Sequence, residues 1–104
     1  MMISRIGPQE YLSGDKAYDY LPQYIKSNDY TRVLFLHGTK SLNAAKPYLP
    51  QWAPEVDVDD VLFNGECSPD EIARIRGIIR DHDIQLVIGL GGGKCIDTAK
   101  SAAH

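Results

Sequence analysis

Short apolar runs alternate along this chain with stretches whose apolar residues recur at helical spacing. The continuous apolar runs at 33–36 and 86–90 are typical of strands that are buried on both faces. Together with turn signals, the pattern predicts strands over 3–6, 10–12, 33–36, 57–63 and 86–90, and helices over 14–26, 41–48, 68–81 and from the glycines at 91–93 onward. This alternation predicts an α/β fold, a Rossmann-like parallel sheet with flanking helices.

The signals at the helix ends differ in strength. Residues 68–71 form a strong start, with serine as N-cap, proline at the first helical position and glutamate at the third. Ser41 is predicted to cap the second helix, which Pro47 and Pro50 would stop. Pro22 predicts a kink in the first helix or a delayed start. The apolar residues expected to dock the last helix on the sheet are Cys95, Ile96, Ala99 and Ala102 or Ala103.

Gly91, Gly92 and Gly93 follow the last predicted strand and lead through Lys94 into the last helix. N–H groups at a helix start lack intrahelical partners, and the helix dipole favours negative charge there. A side chain at these glycines would hold a phosphate off the backbone. The loop therefore predicts a phosphate site, the alternative being a flexible turn with a solvated lysine. It is neither the G-x-G-x-x-G fingerprint nor a P-loop, because Lys94 and Cys95 stand where those motifs need Gly and Ser or Thr.

The bulk composition fits one small cytoplasmic domain. The chain has 104 residues, of which 24% are charged, with a net charge of −3, whereas nucleic acid as a partner would favour a basic excess. No apolar run approaches the roughly 18 residues of a membrane span, and the N-terminus lacks the apolar core of a signal peptide. We therefore expect a cytoplasmic protein that binds neither nucleic acid nor membrane.

Two cysteines are too few for a disulfide framework, so both are expected to be reduced. Cys67 precedes a helix start, where a thiolate could be stabilised. We nevertheless expect Cys67 to be a small, buried apolar residue.

The string at 91–100, Gly-Gly-Gly-Lys-Cys-Ile-Asp-Thr-Ala-Lys, resembles the pyrophosphate loop of the iron-containing (metal-dependent) alcohol dehydrogenase superfamily. Residues 65–78 resemble the segment that precedes this loop in glycerol dehydrogenases, and residues 6–14 resemble the opening strand pair. Hydroxycarboxylate dehydrogenases are a sister group. The resemblance covers essentially all of the chain. It implies that residues 1–104 are a partial N-terminal NAD(P)-binding domain, and that the C-terminal helical metal-binding domain is absent.

The resemblance also implies roles at the glycine loop. Gly91, Gly92 and Gly93 would approach the pyrophosphate of NAD or NADP, and Lys94 would add charge near it. Asp97 would hold the nicotinamide-ribose end of the cofactor. Alternatively, Asp97 only stabilises the helix, because the helix dipole favours a carboxylate in the first helical turn.

Gly38, Thr39 and Lys40 follow the strand at 33–36 and form the second predicted part of the cofactor site. In the family, the position of Gly38 is often an Asp that binds the adenosine ribose and repels a 2′-phosphate. Without that carboxylate, Lys40 can offer a cation and Thr39 a hydroxyl. We therefore expect NADPH to be favoured. Alternatively, Gly38 only serves a turn and Lys40 is solvated.

Metal and catalytic groups are not assigned within the chain. His37, His82 and His104 show no paired spacing of metal ligands, although His37 is expected near the cofactor edge. In the family, the ligands of zinc or iron lie in the domain that would follow. The family also implies a homo-oligomer for the full-length protein.

Two functions stay open. In the first, the chain is the N-terminal fragment of a metal-dependent NAD(P)H oxidoreductase acting on a small alcohol, a glycerol-like polyol or a 2-hydroxy acid, and the fragment itself is inactive. In the second, it is a stand-alone truncated nucleotide-binding or interaction module without catalysis. The end of the sequence within a predicted helix, and the sheet edge that a truncated domain would expose, argue against the second.

Overall fold

The computed structural model describes residues 2–5, 11–13, 17–49 and 51–103. Side chains are described from residue 20 onward within these ranges, except at residue 48. The predicted strand ends at 6 and 10, the helix start at 14–16, the stop at Pro50, and His104 lie outside the described residues.

Five described strands form one sheet with the order β2-β1-β5-β3-β4. Their bounds are Met2–Arg5 (β1), Tyr11–Ser13 (β2), Arg32–His37 (β3), Asp57–Leu62 (β4) and Leu86–Leu90 (β5). β3 lies between β4 and β5 and pairs with both in parallel. The parallel Rossmann-like sheet is thus confirmed for these three strands. β1 and β2 extend it in antiparallel pairing.

Four α-helices accompany the sheet in the described ranges: Ala17–Ser27 (α1), Thr39–Ala45 (α2), Pro69–Asp81 (α3) and Gly93–Ala103 (α4). α1 is already helical at Ala17 and continues through Pro22 to Ser27, so the predicted delay is wrong. The burial of Leu21 and Ile25 against the sheet stabilises the helix on both sides of the proline.

The start of α2 also differs from the prediction. Gly38 is the N-cap, and its carbonyl oxygen accepts the Leu42 N–H at 3.1 Å. Ser41 therefore lies inside the helix, and its predicted role as cap is wrong. The helix begins at once because β3 ends directly before Gly38. It ends at Ala45 and passes into a 3-10 turn, Lys46–Tyr48, that contains Pro47.

Alternate residues of the central strands face opposite layers. Val33 and Ile88 pack against α1 on one face, and Leu34 and Val87 pack against α3 and α4 on the other. All five residues of β5 are buried, as predicted for a strand covered on both faces. Each such side chain contributes on the order of 1.5–3 kcal/mol of transfer free energy.

The inner face of α4 carries the predicted residues. Cys95, Ala99, Ala102 and Ala103 are buried in the core, and Ile96 is half-buried beside them. This contact fixes the direction in which α4 leaves the sheet. In the described ranges no helix has the length and apolarity to cross a membrane.

Candidate functional site

The ends of β3 and β5 lie side by side at one edge of the sheet. His37 and Leu90 are register partners, and the Gly38 N–H donates to the Leu90 carbonyl oxygen at 3.3 Å. The structure thus brings the two predicted segments, 38–40 and 91–94, to the same edge. This is the carboxyl end of the parallel strands, where α/β sheets bind ligands.

The three glycines of the loop differ in surroundings. A Cβ at Gly91 would lie 3.0 Å from the Cβ of Cys95, so this position must be small for α4 to dock. A Cβ at Gly92 or Gly93 would meet no heavy atom of the described residues within 4 Å. Gly91 therefore serves packing, whereas Gly92 and Gly93 leave open space for a ligand.

The backbone of the loop fits an anion. The Ile96 N–H donates to the Gly92 carbonyl oxygen at 3.1 Å, which makes Gly92 the residue before the first helical turn. In an α-helix the first four N–H groups have no carbonyl one turn back to bond. In α4 these groups run from Gly92 to Cys95, next to the open space at Gly92 and Gly93. Together with the helix dipole, they can bind an anion by donating hydrogen bonds to a phosphate oxygen.

Lys94 and Asp97 are both exposed on α4. The ammonium group of Lys94 forms an ion pair with Glu66, with Nζ 2.9 Å from Oε1. The first turn of α4, which the structure describes in full, holds no acidic residue. Asp97 is the fifth residue of the helix, so its predicted place in the first turn is wrong, because the helix begins at Gly93.

Gly38 is not required by packing or by its backbone conformation. Its φ is −90°, which other residues adopt readily, and a Cβ there would lie 3.9 Å from the Ser41 hydroxyl oxygen, an ordinary contact. A side chain as large as aspartate could thus begin here without a clash at its Cβ. The side chains of Thr39 and Lys40 are exposed at the start of α2.

His37 and His82 both bind carboxylates of β4. His37 is buried at the end of β3, as expected near this edge, and its Nε2 contacts the Asp60 carboxylate. His82 ends α3, and its Nδ1 contacts the Asp59 carboxylate. The described part of the chain contains no group of three His, Cys, Asp or Glu that could hold a metal ion.

A buried carboxylate supports the loop between β4 and α3. Glu71 is 1% exposed; it accepts hydrogen bonds from Arg74 Nε at 2.6 Å and from the Asn64 N–H at 2.9 Å. Arg74 also donates to the Leu62 carbonyl oxygen at 3.0 Å. The Arg74 hydrogen bond holds the pKa of Glu71 below its usual value, against the opposing effect of burial.

The sequence predicted the start of α3 but not this role of Glu71. The Ser68 hydroxyl accepts the Glu71 N–H at 3.1 Å, which confirms the predicted N-cap. The Glu71 carboxylate, however, turns to Asn64 and Arg74. The spacing of Glu71 and Arg74, one helical turn apart, was the sequence signal that could have indicated their ion pair.

The two cysteines have opposite environments, and both are free thiols. Cys67 is exposed, so its predicted burial is wrong. It directly precedes Ser68, the N-cap of α3. Cys95 is buried under the glycine loop, 3.5 Å from the Leu90 carbonyl oxygen. Burial raises the pKa of its thiol to about 11.

A cavity of about 400 Å³ lies at the opposite end of the sheet, before β3 and β4. Its walls include Ile25, Trp52 and Val56, with Lys26 and Glu55 among the polar residues. Thr31 and Val56, which line it, directly precede β3 and β4, whereas the glycine loop follows the carboxyl end of β5. We place the candidate site at the carboxyl edge, because the open N–H groups lie there.

A family model for iron-containing alcohol dehydrogenase matches residues 8–104. The chain belongs to this family. Similar proteins include a glycerol dehydrogenase of Escherichia coli O6:H1, 52% identical over 93% of the chain, and one of Citrobacter freundii, 34% identical over 93%. Hydroxycarboxylate dehydrogenase A of Escherichia coli K12 is 30% identical over 95% of the chain. The chain spans 27% of the length of each of these relatives.

Proposed function

We propose that this member of the family is the N-terminal part of the cofactor domain of a metal-dependent NAD(P)H oxidoreductase. Its substrate would be a small alcohol, a glycerol-like polyol or a 2-hydroxy acid. The open helix start at Gly92 and Gly93, beside the second loop at 38–40, is the observation that carries the proposal. The substrate class is supported by the similarity to glycerol dehydrogenases and to a hydroxycarboxylate dehydrogenase.

The residues of the glycine loop fit the pyrophosphate of a dinucleotide. Gly92 and Gly93 would donate backbone N–H groups, and Lys94 would supply a nearby cation. Gly91 lets α4 pack closely enough to hold those groups in place. Asp97, one turn further along α4, would accept hydrogen bonds from the nicotinamide-ribose end.

The second loop would bind the adenosine ribose and favour NADPH over NADH. Gly38 has a conformation and surroundings that do not require glycine, so a turn alone does not explain it. Absence of a carboxylate there removes the repulsion of a 2′-phosphate. Lys40 and Thr39 are exposed at the start of α2, where a cation and a hydroxyl could reach such a phosphate.

The bound nicotinamide would supply the hydride chemistry. We further propose that zinc or iron is held in another part of the full-length protein, so that this chain alone is inactive. Metal-dependent hydride transfer by the purified chain would contradict that. The cytoplasmic location and the homo-oligomer stay predictions.

Calorimetric titration with NADH and NADPH tests the cofactor site. We expect saturable binding of both, tighter for NADPH. Gly92→Ala puts a methyl group into the ligand's space and should weaken binding about tenfold, the equivalent of one charge-assisted hydrogen bond. Gly77→Ala, on α3, is the matched control and should bind like the parent chain.

Two results would contradict the proposal. The first is no saturable binding of either dinucleotide. The second is equal binding by the Gly92 and Gly77 variants. Equal or tighter binding of NADH would contradict the preference for NADPH alone.

A further inference from the structure

The main chain of Glu66 is fixed, although its side chain is exposed. Its N–H donates to the Asn64 side-chain oxygen at 3.0 Å, and its carbonyl oxygen accepts the Ser68 N–H at 3.1 Å. Asn64 is itself held by the buried Glu71. The loop between β4 and α3 therefore carries Glu66 at a defined place.

That place is opposite the glycine loop. The Glu66 carboxylate lies 2.9 Å from the Lys94 ammonium group, with the two side chains 71% and 65% exposed. A pair this exposed is weak and is screened by salt. An anion at the glycine loop can therefore compete with Glu66 for Lys94.

We propose that Glu66 is a specificity-determining residue of the nucleotide site, which selects dinucleotides against free nucleoside polyphosphates. This inference rests on the proposed function of the glycine loop. The Glu66 carboxylate offsets the charge of Lys94 and repels phosphate oxygens nearby. The repulsion grows with the charge that the ligand places beside the glycine loop.

The two classes of ligand differ in that charge. The diphosphate bridge of a dinucleotide is esterified at both ends and carries two negative charges. A nucleoside triphosphate ends in a free phosphate and carries roughly twice as much charge. Glu66 therefore disfavours the triphosphate more strongly, which matters because both contain the same adenosine part.

The test compares the dissociation constants of ATP, without added metal, and NADH for the parent chain and four variants. Glu66→Gln should tighten ATP binding about fivefold and NADH binding about twofold or less, a range expected for one exposed charge. Glu55→Gln removes the same charge from the opposite end of the sheet and should change neither constant. In a Lys94→Gln background, Glu66→Gln should shift the ATP to NADH ratio much less, because the partner is gone.

High salt provides a second readout, since 0.5 M NaCl should reduce the difference between Glu66→Gln and the parent chain. A fold defect would not respond to salt in this way. Equal ATP to NADH ratios for the Glu66 and Glu55 variants, in a chain that binds NADH, would overturn the inference alone. Failure of the parent chain and every variant to bind NADH would overturn the proposed function together with it.

Discussion

The starts of α4 and α2 lie at the same edge of the sheet, each directly after a buried strand, but the core holds them differently. α4 has 11 residues, and its buried residues are Cys95, Thr98, Ala99, Ala102 and Ala103. α2 has 7 residues, and of these Ala45 is buried. The well-packed helix can fix N–H groups for an anion, whereas the short helix offers exposed side chains. We infer that affinity resides mainly at α4 and cofactor preference at α2.

The largest effect should come from Gly91, where the packing of α4 begins. Gly91→Ala would bring a Cβ to 3.0 Å from the Cys95 Cβ, so the loop or the helix must shift. We expect a loss of about 3 kcal/mol in the free energy of unfolding, measured by urea denaturation. Gly38→Ala, at the start of α2, should cost far less. Equal losses would remove the proposed difference between the two helix starts.

The next effect concerns Glu71, which supports the loop facing α4. Glu71→Gln should lower the free energy of unfolding at pH 7 by about 2 kcal/mol, because charge-assisted hydrogen bonds are lost. The folded state lowers the pKa of Glu71. Its contribution is therefore complete above the unfolded pKa of about 4.3 and is lost as the pH falls through the folded pKa.

Denaturation of the parent chain and the Glu71 variant across pH 3–7 measures this dependence. The gap between them should narrow below about pH 4. Glu55→Gln, at an exposed position, controls for the change in net charge. A gap that stays constant down to pH 3 would contradict the ionic role of Glu71.

At α2 we expect a change in preference with little change in stability. Gly38→Asp introduces a carboxylate that would lie beside the proposed position of the adenosine ribose, and it should lower the ratio of NADPH to NADH affinity about tenfold. Lys40→Gln should lower it less, because a cation on a long, exposed stem contributes weakly. Calorimetric titration measures both. An unchanged ratio of NADPH to NADH affinity in the Gly38 variant would show that the adenosine end of the cofactor does not bind beside Gly38.

The smallest perturbation is chemical labelling of the cysteines. Cys67 is exposed, whereas Cys95 is buried and its pKa is raised to about 11. A thiol reagent at pH 8 should therefore modify one thiol of the native chain quickly and the second only in denaturant. Cys67→Ser should abolish the fast phase. Fast labelling of both thiols would show that α4 does not shield its inner face.

Local signals account for what the sequence predicted well. The apolar runs identified β3 and β5, and Ser68 with Pro69 identified the start of α3, since each depends on neighbouring residues. The contact between Lys94 and Glu66 joins residues 28 positions apart, and no local pattern encodes it. The exposure of Cys67 and the cap at Gly38 likewise depend on where β4 and β3 end. The positions of the candidate loops could thus be predicted from the sequence, but the contact of Glu66 with the glycine loop could not.

The most direct measurement is an amide NMR titration of the chain with NAD⁺. The account predicts shifts at Gly92, Gly93 and Lys94, with a second group at 38–40. Residues around the distant cavity, such as Tyr30 and Val56, should stay unchanged. Shifts confined to that cavity, or no shifts at saturating cofactor, would contradict a dinucleotide site at the carboxyl edge of the sheet.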